Sequence, residues 1–181
     1  MLDRVKHSSP ILALLAITAV AACADKDTAE TTAAGKAWQV ARVSGVAEVR
    51  PTPDAAWQPL VGTLLIPGAE VRVASEGHLQ LASAGDIVSA GPGSLFTLPA
   101  GTAGAAGVIQ SYGQMRYEVE TRPAGRFQVE TRYPAITVKG TEFVVEVGSD
   151  GASVEVDEGI VQVDSYESGQ KNAGVTAFKG F

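Results

Sequence analysis

The change of side-chain parity within residues 133–147, YPAITVKGTEFVVEV, is the feature that most constrains the fold. Up to Val138 the apolar side chains of this β-rich stretch fall on even positions, whereas from Phe143 onwards they fall on odd positions. Because side chains alternate between the two faces of a strand, one straight strand cannot bury both sets. Gly140 tolerates the backbone angles of a bend that would cost another residue about 1–2 kcal/mol. The sequence therefore predicts a bend at Gly140-Thr141, where one strand leaves its sheet and the next begins in another.

Glycine divides the rest of the chain in the same way. The chain has 20 glycines, few aromatic residues, and short β-branched clusters in place of long helical stripes. A second parity change falls at Gly159 and predicts a tight corner over 157–159, and the two changes together predict strands that change sheets or curl sharply at a glycine. Gly113 is expected to interrupt a strand, and residues 148–151 to form a hairpin turn. This pattern predicts an all-β fold, an antiparallel β-sandwich or rolled β architecture of many short strands.

A set of residues spread over the chain carries a family resemblance. It consists of Lys139, Gly140, Thr141, Glu142 and Phe143, followed by Val154, Glu155, Val156, Asp157, Glu158 and Gly159, and preceded by Trp57, Leu60, Gly62, Leu65, Gly68 and Val71. From about Val40 to Asp164 the sequence resembles the FecR domain family. The resemblance implies an all-β envelope domain used in signalling, and it implies no biochemical activity by itself.

The first residues have the pattern of a secretory signal. Arg4 and Lys6 precede an apolar run over 11–20, which is shorter than the about 20 residues that span a bilayer. The run ends in Val-Ala-Ala-Cys, which resembles a bacterial lipobox and predicts that Cys23 is lipidated and becomes the mature amino terminus. Ordinary signal cleavage, which would leave a soluble protein with a free thiol, is the alternative.

The predicted domain organisation follows from these signals. Residues 1–22 are expected to form a signal peptide helix, 23–37 a flexible lipidated tether, 38–164 the FecR-like β domain, and 165–181 a C-terminal extension that ends in one last strand. Ala24 directly follows the cysteine, where an aspartate is associated with inner-membrane retention in enteric bacteria. The expected location is therefore the cell envelope facing the periplasm, with the outer membrane favoured.

Composition excludes several classes of function. The formal net charge of −6 opposes binding to nucleic acid, because phosphate backbones are repelled. The single cysteine allows no internal disulfide, and His78 is the one histidine after the signal, on the predicted solvent side of its strand. No metal or cofactor site is predicted, since Asp150 and the pair Asp157-Glu158 lack the spacing of a calcium loop.

Two interpretations compete for the polar residues of the β domain. The pairs Glu142 with Glu146 and Glu118 with Glu120 share strand faces, as the two carboxylates of a glycosidase would, but solvated strand faces produce such pairs routinely. Gly101, Gly104 and Gly107 have the wrong spacing for a phosphate-binding loop. No catalytic residue is therefore predicted.

The motif residues Gly140, Thr141, Phe143 and Gly159 are predicted to have structural roles. Gly140 and Gly159 permit bends, the Thr141 hydroxyl caps a backbone group freed at the bend, and Phe143 anchors the next strand in the core.

The resemblance also indicates a function. FecR regulators receive a cue from an outer-membrane transporter and control a sigma factor through one membrane span, and neither that span nor a cytoplasmic segment is found in this sequence. We expect a non-enzymatic, lipid-anchored module that binds an unidentified envelope protein by adding a strand to a free sheet edge. A wall-associated or glycan-binding scaffold is the alternative, and an enzyme acting on polysaccharide is a third. The oligomeric state is left open.

Overall fold

The computed structural model describes residues 37–62, 64–99, 105–122, 126–167, 170–172 and 176–179. In these ranges the chain forms strands and no helix, so the all-β prediction is confirmed. The strands are β1 (Trp38–Ser44), β2 (Ala47–Arg50), β3 (Gln58–Pro59), β4 (Leu64–Leu65), β5 (Glu70–Val73), β6 (His78–Ser83), β7 (Asp86–Ala90), β8 (Leu95–Thr97), β9 (Ala105–Val119), β10 (Arg126–Glu130), β11 (Pro134–Val138), β12 (Thr141–Val147), β13 (Ala152–Glu167), β14 (Gln170–Asn172) and β15 (Thr176–Lys179).

The strands form two sheets that share β9 and β13. The first sheet has the order β4-β1-β6-β7-β9-β12-β13. The second has the order β3-β2-β5-β8-β9-β10-β11-β13, with β14 and β15 on the far side of β13. Among the described strands, every pairing is antiparallel except that of β9 with β10, which run parallel. The antiparallel prediction is therefore correct for all but this pair.

The two long strands pass from one sheet to the other at a glycine. β9 changes partners at Gly113, which has φ 92°, and β13 changes partners at Gly159, which has φ 93°. The expected interruption at Gly113 is wrong, because β9 bends there and continues. At Gly159 β13 also continues, so there is no turn between two strands, but the change of sheet that the parity shift predicts there is confirmed. A positive φ at one glycine reorients a strand without ending its hydrogen-bond ladder. The predicted hairpin over 148–151 is confirmed, with the Gly148 amide donating to the Gly151 carbonyl over 2.9 Å.

The inward faces of the two sheets enclose one core. A line of aromatic rings joins them, since Trp38 packs edge-on against Phe127, Phe127 against Tyr117, and Tyr117 stacks on Phe143 with ring centroids 5.0 Å apart. All four side chains are buried. Alternation of buried and exposed residues along β5, β6 and β12 follows the side-chain period of two. The outward faces therefore carry the polar residues available for function.

No helix among the described residues is long and apolar enough to cross a bilayer. The predicted last strand lies at β15, which pairs with β13. The signal, the tether and Cys23 lie outside the described residues, as does Phe181.

Candidate functional site

The motif at Gly140 forms a corner where two strands of different sheets meet. Gly140 has φ 66° and lies between β11 of the second sheet and β12 of the first. A Cβ built on Gly140 would lie 1.8 Å from Thr121 Oγ1, and one built on Gly159 would lie 2.6 Å from the Gly140 carbonyl oxygen. The two glycines of the motif thus pack against each other, and neither position has room for a side chain.

The other two motif residues are buried beside this corner. Thr141 donates its hydroxyl to the Ile160 carbonyl over 2.9 Å, directly after the bend in β13. Phe143 stacks on Tyr117, whose hydroxyl donates to Gln110 Oε1 over 2.9 Å. Burial raises the pKa of Tyr117 well above its ordinary value. Gly140 and Thr141 line the smaller groove described below, whereas Phe143, Tyr117 and Gln110 are fully buried in the core. The neighbouring Lys139 is exposed.

We expect Gly140→Ala to lower the free energy of unfolding by about 2–3 kcal/mol, because a left-handed conformation and contact with Thr121 both disfavour a Cβ there. Gly93→Ala is the matched control, since Gly93 has φ 70° but no atom lies within 4 Å of the position that its Cβ would take. The control should lose only the part of the unfolding free energy that comes from the left-handed backbone conformation, about 1–2 kcal/mol. Urea denaturation measures both losses, and equal losses would contradict a steric role for the corner.

Gln110 is a core residue that the sequence reasoning missed. Its side-chain amide donates to the carbonyls of Gly113 and Val145 over 2.8 and 3.1 Å, and it accepts from Tyr117. On β9, Gln110 is two residues after the buried Val108 and so faces the same side of the strand. This shared parity is the sequence signal that could have identified Gln110 as a core residue. Its hydrogen bonds satisfy backbone groups next to the bend at Gly113, so its role is structural.

An ion pair with a fully buried carboxylate ties the start of β7 to the segment after β9. The Asp86 side chain is fully buried and accepts hydrogen bonds from Arg122 Nη1 and Nη2 over 3.0 and 2.6 Å, and from the Glu120 amide over 3.1 Å. Arg122 also donates to the Ala84 carbonyl over 2.6 Å. No local sequence pattern identifies this pair, because the two residues lie 36 positions apart.

Two arginines enclose Trp57 on the outer side of the second sheet. The guanidinium carbons of Arg50 and Arg72 lie 4.6 and 4.4 Å from the ring centroid of Trp57. Arg72 also pairs with Glu48 over 2.6 Å, and this hydrogen bond lowers the pKa of Glu48. Because the pKa of Glu48 is lower in the folded than in the unfolded state, its pairing with Arg72 stabilises the fold at pH values above the pKa of the unfolded state. This contribution is lost as the pH falls through the pKa of Glu48 in the folded state.

The edge of the first sheet exposes apolar side chains. β4 is the outermost strand, contributes two residues, and pairs only with Trp38 and Gln39 of β1. Within the described residues, the rest of β1 has no strand on that side. Leu64 is 63% exposed, Ile66 58% and Val61 87%. An unpaired strand edge with exposed apolar side chains is a template for adding a further strand.

A groove of about 730 Å³ lies on the outward face of the first sheet. One cross-strand row forms its floor, running through Arg42, Gln80, Ser89, Arg116, Val144 and Glu155. Arg116 contacts Glu142 Oε1 over 2.5 Å and Asp157 Oδ2 over 2.7 Å through the same nitrogen. His78 is exposed and lines the groove as well.

The predicted carboxylate pairs are only partly brought together. Glu118 and Glu142 face each other across β9 and β12, and with Glu120 and Glu158 they line a second groove of about 380 Å³. Glu146 does not line that groove. Among the described residues, no three His, Cys, Asp or Glu side chains are grouped as metal ligands.

Comparisons with known proteins define the family. The family model described as FecR protein matches residues 68–162, more than half of the 181 residues. Of the motif residues upstream, Gly68 and Val71 lie within the match, whereas Trp57, Leu60, Gly62 and Leu65 precede it. No curated protein sequence matches the chain.

Two solved structures are similar to this chain. Both are crystal structures of a candidate anti-sigma factor from Parabacteroides distasonis ATCC 8503, at 2.50 and 1.65 Å resolution. They share 25% and 24% identity with this chain, each with a TM-score of 0.49, and each similarity covers 57% of this chain and 50% of the other. The chain thus spans half the length of these proteins.

Proposed function

This chain belongs to the FecR protein family, and from that premise we propose that it binds a partner protein as a module of an envelope signalling pathway. The family is regulatory and associated with the envelope, so the chain is a signalling-related module. In the finer proposal the module catalyses no reaction. It is held at the membrane by lipid on Cys23, with the outer membrane favoured, and the support for this part is the lipobox-like sequence that ends at Cys23.

The observation that carries partner binding is the apolar edge formed by β1 and β4. Of eight large apolar side chains that are exposed in the described residues, five lie between positions 43 and 66, in or beside these strands, namely Val43, Val46, Val61, Leu64 and Ile66. Soluble proteins usually block free edges with charges, prolines or bulges. Leaving this edge apolar favours a partner strand that adds backbone hydrogen bonds and covers the side chains.

The edge lies outside the matched part of the chain, because the family match begins at Gly68, after β4. The matched region supplies the shared β framework, whereas the preceding strands supply the surface for the partner. Carboxylates that line the smaller groove support no reaction here, since Glu142 is paired with Arg116 and the family is regulatory. The glycan-binding scaffold stays the alternative, without an observation that favours it.

The test is capture of partners from solubilised envelopes of the native bacterium with the tagged full chain. We expect the double variant Leu64→Lys with Ile66→Lys to recover at least about tenfold less partner, because two charges on the edge oppose strand addition. Ser75→Lys with Ser149→Lys adds the same charge at exposed turns and should recover the wild-type amount. Quantitative mass spectrometry measures recovery, and circular dichroism checks that both variants are folded.

Two outcomes would contradict the proposal. Recovery of nonspecific background alone by the wild-type chain would exclude a stable protein partner. Equal recovery by the edge variant and its control would leave a partner but remove the edge as its binding surface.

A further inference from the structure

The larger groove has opposite charges at its two ends. Its floor is one continuous cross-strand row over six strands, from Arg42 on β1 to Glu155 on β13. Adjacent strands are about 4.8 Å apart, so the five intervals span roughly 24 Å. A fully extended peptide rises about 3.3 Å per residue, so a segment of about seven residues would reach from one end to the other.

The charged groups at the two ends are available to a ligand. In the part of the chain that the structure describes, neither Arg42 nor Glu155 forms a salt bridge, and both side chains are exposed. Arg116 in the middle is already neutralised by Glu142 and Asp157. The β1 end is therefore cationic and the β13 end anionic, and a ligand that complements the groove has the reverse polarity.

We propose that this groove binds an extended segment of the partner protein, about seven residues long, with an acidic side chain beside Arg42 and a basic side chain beside Glu155. The inference rests on the proposed function and names the chemistry of the segment. Between the charged ends, the amide of Gln80 and the hydroxyl of Ser89 provide hydrogen-bonding groups, and Val144 provides an apolar contact.

Charge and connectivity favour a peptide of this kind over other ligands. A polyanion would be repelled by Glu155 at one end, and the single positive charge of Arg116 in the middle is already offset by its two carboxylate partners. A purely basic segment would be repelled by Arg42 at the other end. The cationic end also lies on β1, the strand with the free edge, so one partner chain that adds a strand to β1 has a short path into the groove.

The test uses synthetic peptides and the full chain labelled with ¹⁵N in detergent. The probe is Glu-Ser-Thr-Val-Thr-Ser-Lys with blocked ends. One control peptide replaces both charged residues with glutamine, and a second places glutamate and lysine next to each other at the centre. Chemical-shift titration by NMR gives the dissociation constant and the residues that respond. We expect shifts at the six floor residues and binding by the probe about fivefold tighter than by either control.

Charge reversal in the protein distinguishes binding that depends on the polarity of the groove from nonspecific binding of the peptide. Arg42→Glu makes both ends acidic and Glu155→Arg makes both ends basic, so each single variant should weaken binding of the probe about fivefold. The double variant R42E/E155R reverses the groove, and the same peptide can bind in the opposite direction. We therefore expect the double variant to bind more tightly than either single variant.

Three results would overturn the inference. The first is the absence of chemical-shift changes at the floor residues up to millimolar peptide. The second is equal affinity for the charged and neutral peptides, and the third is a double variant that binds the probe no more tightly than the single variants. Each of these is independent of partner capture. If a partner is recovered through the β1 and β4 edge but the peptide does not bind, the proposed function stands and the inference about the groove is wrong.

Discussion

Replacing Arg122 with alanine is expected to lower the free energy of unfolding by about 3–5 kcal/mol, because the fully buried Asp86 carboxylate would lose its counter-charge. Arg122 contributes two hydrogen bonds to that carboxylate and one to the Ala84 carbonyl. The Glu120 amide alone would remain. Urea denaturation at neutral pH measures the loss, provided that the m-value is unchanged.

Arg116→Ala is the matched control for this prediction. Arg116 also contacts two carboxylates, but its side chain is 42% exposed and that of Glu142 is 41% exposed. Water can replace such contacts, so the control should lose only about 0–1 kcal/mol. The double variant D86A/R122A should be less destabilised than the sum of the two single variants, because it leaves no unpaired buried charge. Similar losses for R122A and R116A would show that burial of Asp86 does not determine the effect.

Phe143→Ala is expected to lower the free energy of unfolding by about 3–5 kcal/mol. The ring is fully buried and stacks on Tyr117 at one end of the aromatic line that joins the two sheets. Removing it leaves a cavity lined by β9 and β12 and removes the stacking partner of Tyr117. Denaturation monitored by tyrosine and tryptophan fluorescence measures the loss.

Val144→Ala, one residue further along β12, provides the comparison for Phe143→Ala. Val144 points to the opposite face and is only half-buried, so truncation should cost about 1 kcal/mol or less. If both variants lost the same stability, the assignment of odd positions of β12 to the core would be wrong. A retained near-UV signal in V144A together with its loss in F143A would support the assignment.

Side-chain alternation and the positions of the glycines predicted much of the fold. The parity change at Gly140 coincides with a change of sheet, since β11 pairs in the second sheet and β12 in the first. The hairpin over 148–151 follows from its glycines and its position between two alternating segments. The same rules were wrong at Gly113, where the strand was expected to be interrupted and instead bends. At Gly159 they predicted the change of sheet correctly, but β13 makes it by bending and not by ending in a corner. A glycine permits a turn and a bend equally, and the strands on either side decide between them.

The candidate surfaces were less predictable. A free edge was expected, but its position at β1 and β4 depends on the strand order. The groove depends on a row in which Arg42 and Glu155, separated by 113 positions, occupy the same line across six strands. Neither residue stands out within its own segment.

The sequence by itself determined that the chain is all-β, which residues of β5, β6 and β12 face the core, and where the backbone can reorient. These properties depend on side-chain alternation and on residues without a Cβ, and both are local. The tertiary structure alone decided the parallel pairing of β9 with β10, the burial of Asp86 against Arg122, and the polarity of the groove. These depend on which distant strands become neighbours, and that choice is made by the packing of the whole core.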